Sequence, residues 1–171
     1  MMIQQNNPDN AQMFRCIAIK QPFADAFIKA VRTDAEGMTF AEKSVEIHSR
    51  PTEHRGDVLI CSNHKGVGAK ERKGVTIGVA ELYDVKAVAE FTDADWQKSR
   101  VSRENWRSIK KGFGLFFRNP RPVVELPIEC KSGVLQWMAA PPDSIIEYPR
   151  AVKLDDAAWR QIMDNNKDKL L

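Results

Sequence analysis

The chain is poor in residues that would commit it to a cross-linked or metal-held scaffold. It has three cysteines, Cys16, Cys61 and Cys130, no CxxC pair, and three histidines with no ligand spacing toward them. A disulfide framework and a structural zinc site are therefore not expected. Cys16 and Cys61 lie in apolar, strand-like runs, where a small buried thiol is the expected reading. No stretch approaches the length of a membrane span, and residues 1–12 are polar without an apolar signal core. Together with the free thiols, these absences predict a reducing, cytoplasmic setting. The sequence also lacks a G-x-S-x-G elbow, a P-loop, a dinucleotide fingerprint and a paired-histidine motif. Neither a cofactor nor a metal ligand set is indicated.

What is present is ordinary for one globular domain: 171 residues, 43% hydrophobic and 29% charged, enough to bury a core. The net charge of +3 is mildly basic and compatible with a phosphate-bearing partner. Basic residues gather at Lys65, Lys70, Arg72 and Lys73, and again between Lys98 and Lys111, the second stretch interleaved with Trp106. Basic residues with aromatics suit single-stranded nucleic acid. Tryptophans ten apart on neighbouring helices, Trp96 and Trp106, equally suit a packed core with a solvated charged face.

Patterning divides the chain into a disordered tail over 1–13, one domain over 14–150 and a C-terminal helix over 151–171 that carries Trp159, Ile162 and Met163 on one side. Phe14 to Ile19 reads as a first strand. A helix follows from Gln21-Pro22, with Phe23, Ala26, Phe27 and Ala30 as its core stripe. A loop around Glu36-Gly37 leads to strands over Ser44 to His48 and Val58 to Ser62, and then to a long one from Val75 to Val85. On that long strand Gly78 and Ala80 leave room for a close neighbour. Thr92-Asp93-Ala94-Asp95 reads as a helix start. Short strands at Leu115 to Phe117 and Val123 to Leu126 flank an Asn119-Pro120-Arg121-Pro122 corner. Trp137, after Gly133, is expected to pack on the barrel. Ile17, Ile19, Val45, Ile47, Leu59, Ile77 and Val79 are the expected core. Several short strands with early helices predict an α+β fold, a small, partly open barrel flanked by helices.

The densest chemistry lies in Lys43-Ser44-Val45-Glu46-Ile47-His48-Ser49-Arg50, which places an ammonium, a carboxylate, an imidazole and a guanidinium within eight residues. Alternation of Val45 and Ile47 with Ser44, Glu46 and His48 gives a strand with one polar face. Such a face suits a site, and a solvated surface gives the same pattern. His64-Lys65-Gly66-Val67-Gly68 follows the next strand, where two glycines could free backbone N–H groups for an anion or simply make a flexible connection.

Four segments in this order carry a family resemblance: Ile17-Ala18-Ile19-Lys20-Gln21-Pro22-Phe23-Ala24, Lys43 through Gly56, Gly74 through Leu82, and Asn119-Pro120-Arg121-Pro122. From about Arg15 to about Ala140 the chain resembles the ASCH domain, a small β-barrel related to the PUA domains of RNA-modifying proteins. It departs from the family pattern at Ala41, where a glycine is usual, at His48, where an arginine is usual, and at Arg50, where an aromatic is usual. The arginine-to-histidine difference exchanges a permanent bidentate fork for a group that titrates near neutrality. Arg50 can itself stack on a base.

The resemblance implies an RNA-binding or other nucleic-acid-binding module. Its cleft would be bordered by Lys20, Gln21, Lys43, Glu46, His48, Arg50, His64 and Lys65. Lysines and Arg50 would meet phosphates, and Glu46, Gln21 and His48 would read a base or nucleoside edge. It also implies an alternative, because some small ASCH proteins are amidohydrolases acting on acetylated cytidine through a lysine, a threonine and a glutamate, and some relatives cleave RNA. Lys43 matches that lysine, Glu46 stands where the threonine would, and Lys43 with Glu46 would be the reactive pair. A protein-interacting accessory domain is a third reading.

Overall fold

The computed structural model describes residues 12–66, 73–125, 127–128, 130–131 and 135–140. The tail expected over 1–13 lies almost entirely outside them. So do the C-terminal helix expected over 151–171, the Val67-Gly68 loop, and the side chains of Lys65 and Trp137.

Ten residues from Gln12 to Gln21 form β1, in which Cys16, Ile17, Ala18 and Ile19 are buried in succession, on both faces of the sheet. A single helical turn, α1 (Phe23–Ala26), follows the cis Gln21–Pro22 bond. The expected longer helix is not formed. Its core face is Ala24 and Phe27, while Phe23 is 40% exposed and Ala30 begins a strand. The chain turns into a hairpin, β2 (Ala30–Thr33) and β3 (Thr39–Ala41), instead of an open loop. Asp34 closes its turn by accepting from the N–H groups of Glu36 (3.1 Å) and Met38 (2.8 Å), and Gly37 takes φ +80°. Aspartate tolerates this local bonding and glycine the left-handed conformation.

The strands β4 (Val45–His48), β5 (Gly56–Gly66), β6 (Thr76–Ala87), β7 (Phe113–Pro122) and β8 (Gln136–Ala140) join β1 in one six-stranded sheet of order β4-β7-β6-β5-β1-β8. Among the described residues only β1 and β5 pair in parallel; the other pairs are antiparallel. The Asn119-Pro120-Arg121-Pro122 segment is not a corner between two strands. It continues β7 through a bulge at which Val79 pairs with Arg121 and Glu81 with Arg118. Asn119 takes φ +51° there, and a bulge is where a strand can carry proline without losing a ladder bond. Arg118 makes a two-pronged contact to Glu81 (3.1 and 2.8 Å), and Asn119 Nδ2 donates to the same carboxylate at 2.9 Å.

The core is split by the sheet. Ile17, Ile19, Val58, Ile60, Ile77, Ala80, Leu82, Leu115 and Phe117 pack with Ala24 and Phe27 on one face. Cys16, Leu59, Cys61, Val79 and Val123 pack on the other. Leu59 and Val79 thus leave the expected single core, because alternation along a strand sends neighbours to opposite faces. Ile77 and Val79 reach opposite faces despite their even spacing: a bulge between Ile60 and Cys61 inserts one extra residue in β6. Val45 is fully buried, whereas Ile47 is only half-buried. Gly78 serves a neighbouring backbone, since a Cβ there would stand 2.6 Å from the Arg121 carbonyl oxygen.

The helix start at Thr92 is formed as expected. Thr92 and Asp95 make a reciprocal capping box on α2 (Asp93–Ser99), and Lys86 adds a 2.8 Å ion pair to Asp95. A 3-10 segment, Arg103–Ser108, follows. Among the described residues no helix is long and apolar enough to cross a membrane.

Candidate functional site

The two outer strands of the sheet are β4 and β8, the latter beside β1. The sheet curls so that residues of β4 and β1 border common clefts, leaving the barrel open along that seam. Two clefts occupy it. The first, about 440 Å³, is lined by Lys20, Lys43, Glu46, Arg100, Ser102 and Asn105, among others. The second, about 550 Å³, is lined by Arg15, His48, Arg50, Thr52, Leu115 and Leu135, with Ser49 and Pro51 between.

Lys43 forms the floor of the first cleft. It precedes β4, so its side chain is free of the strand's alternation and can share a direction with Glu46. Its residue exposure is only 6%. The ammonium Nζ donates to the carbonyl oxygens of Val45 (2.9 Å) and Ser99 (2.5 Å) and pairs with Glu46 Oε2 at 3.0 Å. Three acceptors match its three N–H groups. The rings of Phe27 and Phe23 lie 5.4 and 5.6 Å from Nζ, within cation–π range. Burial pushes the Lys43 ammonium below its ordinary pKa, and the Glu46 carboxylate opposes that shift.

This geometry alters the expected role of Lys43. An ammonium buried and fully bonded does not reach a phosphate; it fixes the Glu46 carboxylate, whose side chain keeps 25% of its exposure. Gln21 is likewise corrected. It is fully buried, its Nε2 donating to Asp25 (3.0 Å) and its Oε1 accepting from the Asp25 N–H (3.2 Å), so it braces α1 and offers no edge to a ligand.

Lys20 is exposed and lines the first cleft, and Arg50 is exposed and lines the second. His48 is half-buried in the second cleft. Burial lowers its pKa from 6.5, with Glu46 pulling the other way. His64 lines neither cleft: its ring covers Gly74, where an added Cβ would collide with it.

The His48 shift has a testable sign. In the folded protein the neutral ring is favoured, so the unfolded chain binds more protons between the folded pKa and about 6.5. The stability contributed by neutral His48 is fully present above about 6.5 and is lost as pH falls through the folded value. Urea midpoints between pH 7 and pH 5 should fall for the parent and fall less for His48→Gln. Equal slopes would place His48 in solvent.

The sequence does not place several cleft residues here, and it marks Arg100 only as one of the basic residues between Lys98 and Lys111. The Ser99 carbonyl, Arg100, Ser102 and Asn105 arrive because the capped α2 ends beside β4, with the Lys98 carbonyl oxygen accepting from the Ser44 N–H at 3.0 Å. Arg100 holds Glu42 at 3.0 Å from the rim. The capping box could have located α2, but nothing in it says which strand the helix end meets. Arg103 and Arg107, from the same basic stretch as Arg100, border a separate hollow of about 740 Å³ with Trp96 and Trp106. There the indoles of Trp96 and Trp106 stack on each other at 5.9 Å and 15°, and Trp96 meets Phe91 edge-on at 5.0 Å. Those rings are engaged with one another, in keeping with a core role.

No family model matches the sequence, and no curated protein sequence matches it. Among solved structures, the chain is similar to ASCH from Zymomonas mobilis, with a TM-score of 0.50 at 13% identity over 87% of this chain and 92% of that one. Two single-residue variants of the Zymomonas mobilis protein superpose with TM-scores of 0.49 and 0.48 at 15% and 14% identity, covering 91% and 92% of this chain and 98% and 97% of theirs. At such identities the likeness is one of fold. The bulged β7, the parallel β1–β5 pair and the open seam make up an α+β, partly open barrel, similar in fold to the Zymomonas mobilis ASCH structure.

Proposed function

We propose that the seam clefts bind RNA, taking a base or nucleoside in the first cleft and adjacent phosphates on its rim. One observation carries this reading: a partly exposed carboxylate, Glu46, is held by a buried ammonium in a cleft whose rim bears Lys20 and Arg100. A carboxylate repels a phosphate track but accepts from an exocyclic amine or ring N–H. The exposed cations beside it, with Arg50 and Arg15 further along the seam, attract the backbone. His48 adds a neutral ring able to donate or accept at a base edge. Titration with nucleosides and short RNAs tests the proposal. Affinity for RNA should fall steeply with salt, and Lys20→Ala should flatten the log–log slope by about 0.7 to 1 per lost phosphate contact. A salt-independent affinity would point to a small neutral ligand instead.

A second reading, hydrolysis of a modified nucleoside such as acetylated cytidine or cleavage of RNA, is favoured by the desolvation of Lys43. Burial lowers the cost of its neutral, nucleophilic form. Its three acceptors work against that form, and no separate base lies within the bonds it makes. Assays on acetylated cytidine and short RNAs with the parent, Lys43→Ala and Lys43→Arg separate the two readings. Turnover by the parent that is lost in both variants would establish the enzyme. Binding kept by Lys43→Arg and lost by Lys43→Ala, without product from any protein, supports the binding module.

A further inference from the structure

The three cysteines, separated by 45 and 69 positions in sequence, meet in space on the face of the sheet opposite the main core. Cys16 on β1 and Cys61 on β5 belong to hydrogen-bonded parallel strands. Cys16 stands opposite Leu59 and Ala18 opposite Cys61, so the two cysteines are diagonal neighbours on one face. Their sulfurs are 3.2 Å apart. Cys130 arrives from the segment between β7 and β8 and brings its Sγ to 3.0 Å from that of Cys16. All three sulfurs lie within 4.8 Å of one another, and no histidine, aspartate or glutamate joins them among the described residues.

The surroundings are apolar. Leu59, Val79 and Val123 pack around the two fully buried thiols, with Ile128 against them. Cys130 is half-buried and is the member of the cluster that keeps some exposure to solvent. Gln136, on β8, donates its Nε2 to Cys130 Sγ at 2.9 Å and to the Lys131 carbonyl oxygen at 3.0 Å. A donor in this position would orient the sulfur if it bound a metal.

We propose that Cys16, Cys61 and Cys130 form a three-thiolate site for a soft, thiophilic d10 cation, copper(I) or zinc(II). Thiolate sulfur selects these cations among the common metals. Sulfurs sharing one zinc at about 2.3 Å stand about 3.8 Å apart. The separations here of 3.0 and 3.2 Å would need to open by less than about 1 Å. Three sulfurs packed in a dry pocket gain little from weak S–H bonds, whereas a cation neutralises the thiolates it generates. No two cysteines are close along the chain, so their spacing carries no sign of the cluster.

The test uses the full chain, reduced and kept anaerobic. It is titrated separately with copper(I) and zinc(II), each against a chromophoric chelator, and the bound metal is counted by native mass spectrometry. One equivalent of either cation should be taken from the chelator, the two arms showing which cation is preferred, and binding should raise the melting temperature of the parent. Cys130→Ser, at the solvent side, should melt like the metal-free parent and bind at least tenfold more weakly. Cys61→Ala should do the same to binding, whatever it does to stability. Failure of both cations to bind overturns the proposal, as does undiminished binding by Cys130→Ser. A Cys16–Cys130 disulfide formed in air, with no cation uptake by the reduced chain, would also overturn it and make the cluster a redox pair.

Discussion

Glu46→Ala should cost the protein roughly 2–3 kcal/mol, and adding Lys43→Met should return more than half of that loss. The Lys43 ammonium is buried, and Glu46 is its only anionic partner among the ion pairs of the described residues. Removing one member of a buried pair costs about 3–5 kcal/mol, because the other charge remains desolvated. The lower figure here follows from the 25% exposure of Glu46, which lets water share the pair. Removing both members takes away the stranded charge and leaves an aliphatic side chain against Phe23 and Phe27.

The effect also has a pH signature. Burial already lowers the folded-state pKa of Lys43 from 10.5, so the unfolded chain binds more protons between those two values and stability rises with pH across that window. In Glu46→Ala the opposing carboxylate is gone. The window should widen and the alkaline rise should steepen. Urea midpoints at constant m-value from pH 7 to pH 10 measure both effects. A Glu46→Ala loss of less than about 0.5 kcal/mol, the scale of an exposed pair, would mean that Lys43 is not desolvated.

Phe27→Ala should be still more damaging, by about 3–5 kcal/mol, the usual range for removing a buried phenylalanine. Phe27 is 1% exposed and meets Phe117 edge-to-face at 5.4 Å and 87°. It joins α1 to the sheet and also lies beneath the Lys43 ammonium. Phe27→Leu keeps most of the apolar volume and should cost under about 1.5 kcal/mol, while removing the ring from beside Nζ. If RNA affinity depends on the rigid placement of Glu46 through Lys43, Phe27→Leu should weaken binding with the fold intact. A Phe27→Ala protein that melts within a few degrees of the parent would show that α1 is not part of the cooperative core. Denaturant curves read the first effect, and the same nucleoside and RNA titrations read the second.

The parts of the fold readable in the sequence were those encoded by local chemistry. Alternation marked β4, apolar runs marked β1, β5 and β6, and Thr92 with Asp95 announced the α2 cap. Each signal acts over a few residues: side-chain period in a strand, or a hydroxyl and a carboxylate bonding the first turn of a helix. The order of motifs from Ile17 to Pro122 carried the resemblance to the ASCH barrel, and the superposition bears out the fold.

Tertiary structure decided where the signals were ambiguous or absent. Asn119-Pro120-Arg121-Pro122 has the composition of a turn, yet pairing with β6 absorbs it as a bulge. The stripe from Phe23 to Ala30 has helical spacing, yet the chain leaves after one turn to build the β2–β3 hairpin. Lys43 is locally a surface lysine at a strand start. It becomes a buried ammonium only because the end of α2 supplies the Ser99 carbonyl and α1 supplies Phe27. The cysteine cluster depends on the parallel pairing of β1 with β5 and on the return of the chain at Cys130. Sequence determined where the apolar and alternating strands β1, β4, β5 and β6 run and which residues carry charge. Only long-range packing, which closes distances of tens of residues at once, determined which of those charges are buried, which sulfurs meet, and where the barrel stays open.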